Sequence, residues 1–255
     1  QGGNGLYVYE SGALNTFVTE SSVDGEPTST QYFDSGNTLA YFDDRLWVGN
    51  TTEQGTRCPQ RIRWSDPVNF SRFQPVNYLD LPYGGGELIK LLPLGSLMVA
   101  YYTDAIYIGR PTNIATRPYL FERLETGKMG LITQKAIVAW NDGHFFVGTD
   151  NIYTLTMNGS LQPIGSPVLE ETLEYTKSLG LNNFIQVEHD PNTDTIAFLF
   201  PDVIEETIAI NSIATKMWRL NYKTLGWSYD EVNFSDTLKN QPNFYYGGLL
   251  PARYY

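Results

Sequence analysis

An all-β fold is predicted by three features of the 255-residue sequence. Short runs rich in Val, Ile, Tyr, Phe and Trp are separated by clusters of Asp, Asn, Gly and Pro, the pattern of strands joined by tight turns. Helical periodicity is nearly absent. The runs also recur in groups of four whose first members begin 48 or 49 residues apart.

The first group comprises 39–42, the turn Asp43-Asp44, 45–49, 61–65 and 73–78, with 50–60 as a polar insertion. The second comprises 88–92, 97–102, the turn Thr103-Asp104, 105–109 and 119–124. The third comprises 136–140, the turn Asn141-Asp142-Gly143, 144–148, the turn Thr149-Asp150, 152–155 and 161–164. The fourth comprises 184–187, 196–200, 217–222, the turn 223–226 and 227–229. One helix interrupts them over 167–179, with Ser166 as N-cap, Pro167 at the first helical position, Glu170 and Glu171 suiting the helix dipole and Gly180 as the stop.

Four antiparallel strands per unit of this length match a β-propeller blade, a small sheet that cannot bury both faces alone. The segments 6–9 and 14–18 read as the last two strands of a blade, and 244–250 as a first strand. Joining them in one composite blade removes exposed edges and gives a five-bladed propeller, four whole blades plus the closing one. Residues 1–255 are expected to form a single propeller domain; since the chain begins at Gln1 rather than Met, it is either that domain or part of a longer protein.

Composition narrows the function. With 17 basic and 28 acidic residues the net charge is −11, which disfavours gripping nucleic acid by bulk charge. The single cysteine, Cys58, cannot form an internal disulfide, and two histidines, His144 and His189, do not make a His-rich metal site. No metal or other cofactor is expected. No apolar run approaches the roughly 18 residues of a membrane span.

Catalytic signatures are also missing from the pattern, and no enzymatic activity is expected. Asp43, Asp44, Asp104, Asp142 and Asp150 all fall in hairpin turns, where Asp is favoured for backbone reasons. Ser22-Val23-Asp24-Gly25 lacks the spacing and the Trp of a sialidase-type Asp box, and Gly84-Gly85-Gly86 lacks the Lys and helix of a phosphate cradle. Cys58 has no histidine near it in sequence and reads as an inert thiol. The aromatic residues, 14% of the chain, are expected mostly as blade filler. The one basic concentration is Arg57, Arg61, Arg63 and Arg72. It suits contact with an acidic neighbouring subunit or with a phosphate backbone; the protein contact is favoured, because one cluster supplies few phosphate contacts.

Specific strings carry a resemblance. Arg45-Leu46-Trp47-Val48-Gly49, followed by Pro59-Gln60-Arg61-Ile62-Arg63-Trp64-Ser65-Asp66-Pro67-Val68-Asn69-Phe70, resembles a pattern in propeller-bearing tail nozzle, tail-hub and packaged-DNA-stabilisation proteins of short-tailed phages. The segments 97–102 and 105–109 fit as well, as does Lys128-Met129-Gly130-Leu131-Ile132 leading to 143–153, where Asn151 replaces the usual Gly, a change that left-handed turn geometry tolerates. The resemblance spans 39–229 and rests on hairpin and blade signatures. It implies a virion structural protein in a homo-hexameric tail ring, next to an adaptor or portal ring and to tail fibres or spikes. Such a ring retains the packaged genome and passes double-stranded DNA without reading its sequence. Two alternatives stay open: a carbohydrate-binding propeller using Trp47 or Trp140, and a glycoside hydrolase with paired carboxylates.

Overall fold

The computed structural model describes residues 7–10, 13–16, 21–23, 26–28, 34–81, 86–112, 114, 116–124, 128–140, 143–165, 167–203 and 213–232. They form a mostly-β chain whose four larger sheets each contain four antiparallel strands in sequence order. Two compact units divide the chain, Gln1–Leu131 and Ile132–Tyr255, each holding two of these sheets. The expected strand at 244–250, the turn residues Asn141 and Asp142, and Ser166 lie outside the described residues.

The first unit opens with two hairpins, β1 (Tyr7–Glu10) with β2 (Ala13–Thr16), and β3 (Ser21–Val23) with β4 (Glu26–Thr28). The first matches the expected pair near the N-terminus; the second is an additional hairpin. Next comes a sheet of β5 (Ser35–Phe42), β6 (Arg45–Glu53), β7 (Thr56–Trp64) and β8 (Tyr78–Asp80). Asp43 and Asp44, both with φ of 52°, turn β5 into β6. Two successive left-handed residues make a type I′ turn, whose twist matches that of the flanking strands. The following sheet, β9 (Leu88–Leu94), β10 (Leu97–Tyr102), β11 (Ile106–Pro111) and β12 (Tyr119–Arg123), follows the second group closely.

These two sheets pack through one apolar core that joins Trp47, Ile62 and Trp64 to Leu88, Leu91, Met98 and Tyr102. Trp47 is wholly buried, its ring centroid 5.4 Å from Trp64 and 5.3 Å from Tyr119, and its Nε1 donates to the Phe42 carbonyl at 3.0 Å. Each such large side chain contributes roughly 1.5–3 kcal/mol by leaving water. The first strand of one sheet lies along the first strand of the next, β5 against β9. Polar ties fix that contact: Leu91 N donates to Thr38 Oγ1 and Asn50 Nδ2 to the Leu88 carbonyl, each at 3.0 Å. A Cβ at Gly49 would come within 2.3 Å of Leu88 Cδ2, so the close approach requires glycine there.

Two boundaries differ from expectation. The residues 50–60 are not an insertion but the distal half of a long β6–β7 hairpin that turns at Gln54-Gly55. Pro59 is tolerated within β7 because the ladder breaks there, pairing jumping from Gly49↔Ile62 to Thr51↔Cys58 around a bulge at Asn50. The fourth strand starts at Tyr78 rather than Phe73, which instead is buried against Val48 and Leu46.

The second unit holds β13 (Ile137–Trp140), β14 (Gly143–Val147), β15 (Ile152–Thr156) and β16 (Leu161–Pro163), then α1 (Pro167–Ser178), then β17 (Gln186–Asp190), β18 (Thr195–Val203), β19 (Ile213–Asn221) and β20 (Gly226–Val232). First strands again lie side by side, β13 against β17, with Val187 N donating to the Lys135 carbonyl at 2.9 Å. Helix α1 ends as expected at Gly180, whose φ is +69°. Gly180 N bonds the Lys177 carbonyl and Leu181 N the Thr176 carbonyl, the paired bonds of a Schellman motif. Leu169, Leu173 and Thr176 form the buried side of α1.

Candidate functional site

The expected arginine cluster is assembled by the β6–β7 hairpin. Gln54 and Gly55 take φ of 48° and 77°, which places Glu53 at the end of β6 facing the arginines of β7. One Glu53 oxygen accepts Arg63 Nε at 2.8 Å and Thr51 Oγ1 at 2.7 Å. The other accepts Arg63 Nη2 at 2.9 Å and Arg61 Nη1 at 2.7 Å. Arg61 then forks onto Asp80 of β8, Nε to Oδ1 at 2.8 Å and Nη2 to Oδ2 at 2.7 Å. Both guanidiniums lie over the Tyr78 ring, 4.1 Å and 5.1 Å from its centroid.

Electrostatics follow from this geometry. Burial raises the Glu53 carboxyl, but the hydrogen bonds from Arg63, Thr51 and Arg61 outweigh it and hold the group below the ordinary carboxylate value. The paired hydrogen bonds to Asp80 push Arg61 further up, so the cation is locked on. Arg63 is buried, its side chain 3% exposed, which a guanidinium tolerates only because it is paired and hydrogen-bonded.

The other two arginines are also paired within the chain. Arg57 meets Glu87 at 2.5 Å on the surface. Arg72 Nε lies 3.2 Å from Asp66 Oδ2, close enough for an ion pair but poorly aligned for a hydrogen bond. Four arginines therefore face four acids, Glu53, Asp66, Asp80 and Glu87. The cluster is a neutralised staple across β6, β7 and β8 rather than a field of free positive charge. The sequence showed the arginines but not their carboxylates, because reading 50–60 as an insertion hid the register that brings Glu53 back; the Gln54-Gly55 dipeptide was the available turn signal.

The end of the resembling string, 64–70, runs from the last residue of β7 into the connection to β8. Arg45 Nη1 donates to the Ser65 carbonyl at 2.9 Å, and Ser65 Oγ accepts Leu46 N at 2.9 Å. Asp66 accepts Gln74 Nε2 at 2.9 Å and Asn77 Nδ2 at 3.2 Å, pinning the return of the chain into β8. Val68 stands at φ +65°, its N donating to the Asp44 carbonyl at 2.8 Å. A β-branched residue in that region is strained. Gly130 in the second string is also required by packing, since a Cβ there would sit 2.1 Å from the Tyr102 carbonyl oxygen.

The remaining candidates find structural settings. Burial pushes the Cys58 thiol up, away from the reactive thiolate. His144 is fully buried, and His189 Nε2 lies 3.5 Å from Tyr222 Oη, which donates to Asp194. Trp47 has no exposed surface to offer a sugar, and Trp140 is packed between Phe145 and Tyr222 with centroids 5.3 Å and 5.0 Å away. Asp150 accepts Tyr153 Oη at 2.9 Å beside its turn. Asn151 is not among the residues with a left-handed backbone. Its amide instead bridges the hairpin to α1, Oδ1 accepting Ile152 N at 2.6 Å and Nδ2 donating to Glu170 at 2.9 Å. Among the described residues no three His, Cys, Asp or Glu side chains gather as metal ligands, and no helix is long and apolar enough to cross a membrane.

No family model and no curated protein matches the chain. Solved structures show distant likeness. A Saccharomyces cerevisiae complex of Dbp5 with Nup159, Gle1, IP6 and ADP is 13% identical with a TM-score of 0.40, covering 76% of this chain and 46% of that one. PorZ, a surface component of the type-IX secretion system of Porphyromonas gingivalis, is 10% identical with a TM-score of 0.37, covering 77% and 28%. KlHsv2 with loop 6CD replaced by a Gly-Ser linker is 9% identical with a TM-score of 0.35, covering 77% and 57%. This chain thus spans less than two thirds of each. At these scores the likenesses carry no argument about what the chain does.

Proposed function

We propose that the chain is a structural protein of a phage tail, a five-bladed β-propeller that forms or surrounds the DNA conduit as a homo-hexameric nozzle or hub ring. It sits in the virion beside an adaptor or portal ring and tail fibres or spikes, retains the packaged genome and takes part in its ejection. One observation carries the reading: the strings that resemble the tail proteins are the ones that build the β5–β8 sheet and its loop, Arg45 through Ser65 and Asp66 into Asn77. Within each unit the adjacency of first strands, β5 with β9 and β13 with β17, supports the propeller reading, in which the inner strands of successive blades are neighbours.

Charge supports the conduit role. A chain of net charge −11 whose clustered arginines are already paired to its own acids offers passing phosphates little to hold, so DNA slides rather than binds. Quantitative mass spectrometry of purified particles tests the reading: six copies per tail are expected, and absence of the chain from the particle overturns it.

A further inference from the structure

We propose that the corner formed by Tyr41 and Phe70 beside Asp44 is a docking site for a lysine or arginine side chain of a partner protein, the aromatic rings and the carboxylate holding the cation jointly. All of its residues lie in the first unit, on β5, on the turn after it and on the connection from β7 to β8. The site goes beyond the tail-ring reading and does not depend on it, because the chemistry of the contact defines it.

Tyr41 is 60% exposed and Phe70 39%, and their rings stand at 88° with centroids 5.4 Å apart. Val68, 76% exposed, extends this apolar surface and is tied to the turn by its N, which donates to the Asp44 carbonyl. Asp44 Oδ1 accepts Tyr41 Oη at 3.1 Å, so the carboxylate lies at the hydroxyl edge of the ring. Asp44 Oδ2 takes no hydrogen bond or ion pair among the described residues. The adjoining charges are directed elsewhere: Asp43 takes a hydrogen bond from Tyr119, and Arg45 turns inward to the Ser65 carbonyl.

The chain itself shows what such a unit takes. Tyr222 Oη donates to Asp194 Oδ1 at 2.9 Å, and Lys223 Nζ sits on Asp194 Oδ2 at 2.7 Å. Tyr78 carries the Arg61 guanidinium 4.1 Å from its ring centroid while Asp80 binds the same group in a fork. In both places a tyrosine and an aspartate share one cation. Tyr41 with Asp44 repeats the bond between Tyr222 and Asp194, with the second carboxylate oxygen open and the ring exposed. Tyr153 with Asp150 is a further pair of this kind, but there the ring is stacked on Phe146 with centroids 5.6 Å apart. Net charge selects the same occupant, since a chain at −11 attracts basic partners and repels acidic ones. Attraction of a cation to a ring face then adds to its attraction to the carboxylate.

A Leu-Arg-Leu peptide blocked at both ends tests the site, with the peptide carrying citrulline, uncharged and of the same shape, as the control. Binding is read by nuclear magnetic resonance from the ring signals of Tyr41 and Phe70 and the methyl signals of Val68. The arginine peptide is expected to shift these signals and to bind at least about fivefold more tightly than the citrulline peptide, a margin that shrinks as salt is raised. Asp44→Asn keeps a residue that tolerates the left-handed turn, and Tyr41→Leu keeps an apolar side chain, so circular dichroism and melting are expected to match the wild type. Each is expected to weaken binding of the arginine peptide at least about threefold. Equal binding of the two peptides, a response confined to other signals, or an affinity indifferent to both substitutions overturns the proposal. Shifts of the same signals with protein concentration alone overturn it in favour of a second copy. The tail-ring reading fails separately, by absence of the chain from the particle.

Discussion

Replacing Glu53 by Gln removes the charge on which the arginine staple turns. The carboxylate accepts four hydrogen bonds, three from Arg61 and Arg63, and the Arg63 side chain is only 3% exposed. Gln keeps the shape but offers one acceptor oxygen and no charge, leaving a buried guanidinium short of its counter-ion. Removing one partner of a buried pair costs about 3–5 kcal/mol; Arg61 keeps Asp80, so about 2–4 kcal/mol is expected here. For a chain of this size about 3 kcal/mol lowers the melting temperature by roughly 6–12 °C. The sign of the pH dependence follows from the carboxyl lying below its ordinary value of 4.5 in the folded chain. Its contribution is fully present above that value and is lost as pH falls through the folded one, so the gap between wild type and Glu53→Gln narrows on acidification. Urea unfolding followed by tryptophan fluorescence, at pH 7 and at successively lower pH, measures both. A variant within about 0.5 kcal/mol of wild type at pH 7, or a gap that widens in acid, refutes the reasoning.

Trp47→Ala removes the largest of the fully buried side chains among the described residues and the bond to the Phe42 carbonyl, so a loss of about 3–5 kcal/mol is expected in the same urea assay. Gly130→Ala forces a Cβ against the backbone of Tyr102 and Thr103, and a loss of about 1–3 kcal/mol or more should appear as a lower melting temperature. Val68→Gly acts in the opposite direction: relief of the left-handed strain outweighs the added chain entropy, and calorimetry is expected to show a gain of about 0.5–1 kcal/mol. Cys58, its thiol pushed up by burial, is expected to react with iodoacetamide at pH 8 more slowly than a free cysteine, with a rate that keeps rising beyond pH 9.

The strand groups were legible because their turns and alternation are local. Asp43-Asp44, Gly180 and the apolar runs of β9 to β11 each announce themselves within a few residues. The β6–β7 hairpin was not, because Pro59 and the polar run 50–60 argue against a strand unless the bulge at Asn50 is known. The site was half legible for the same reason. Arg61 and Arg63 stand out in sequence, while Glu53 and Asp80 join them only through register. The role of Asn151 was not legible either, because its amide reaches Glu170 on α1, a partner distant in sequence.

A cryo-electron microscopy reconstruction of the phage particle, resolved at the tail axis, bears most directly on the proposed role. The account predicts six copies of the β5–β20 fold in a ring around the DNA path. Density at the axis that cannot accommodate this chain, or the chain placed away from any ring, contradicts it.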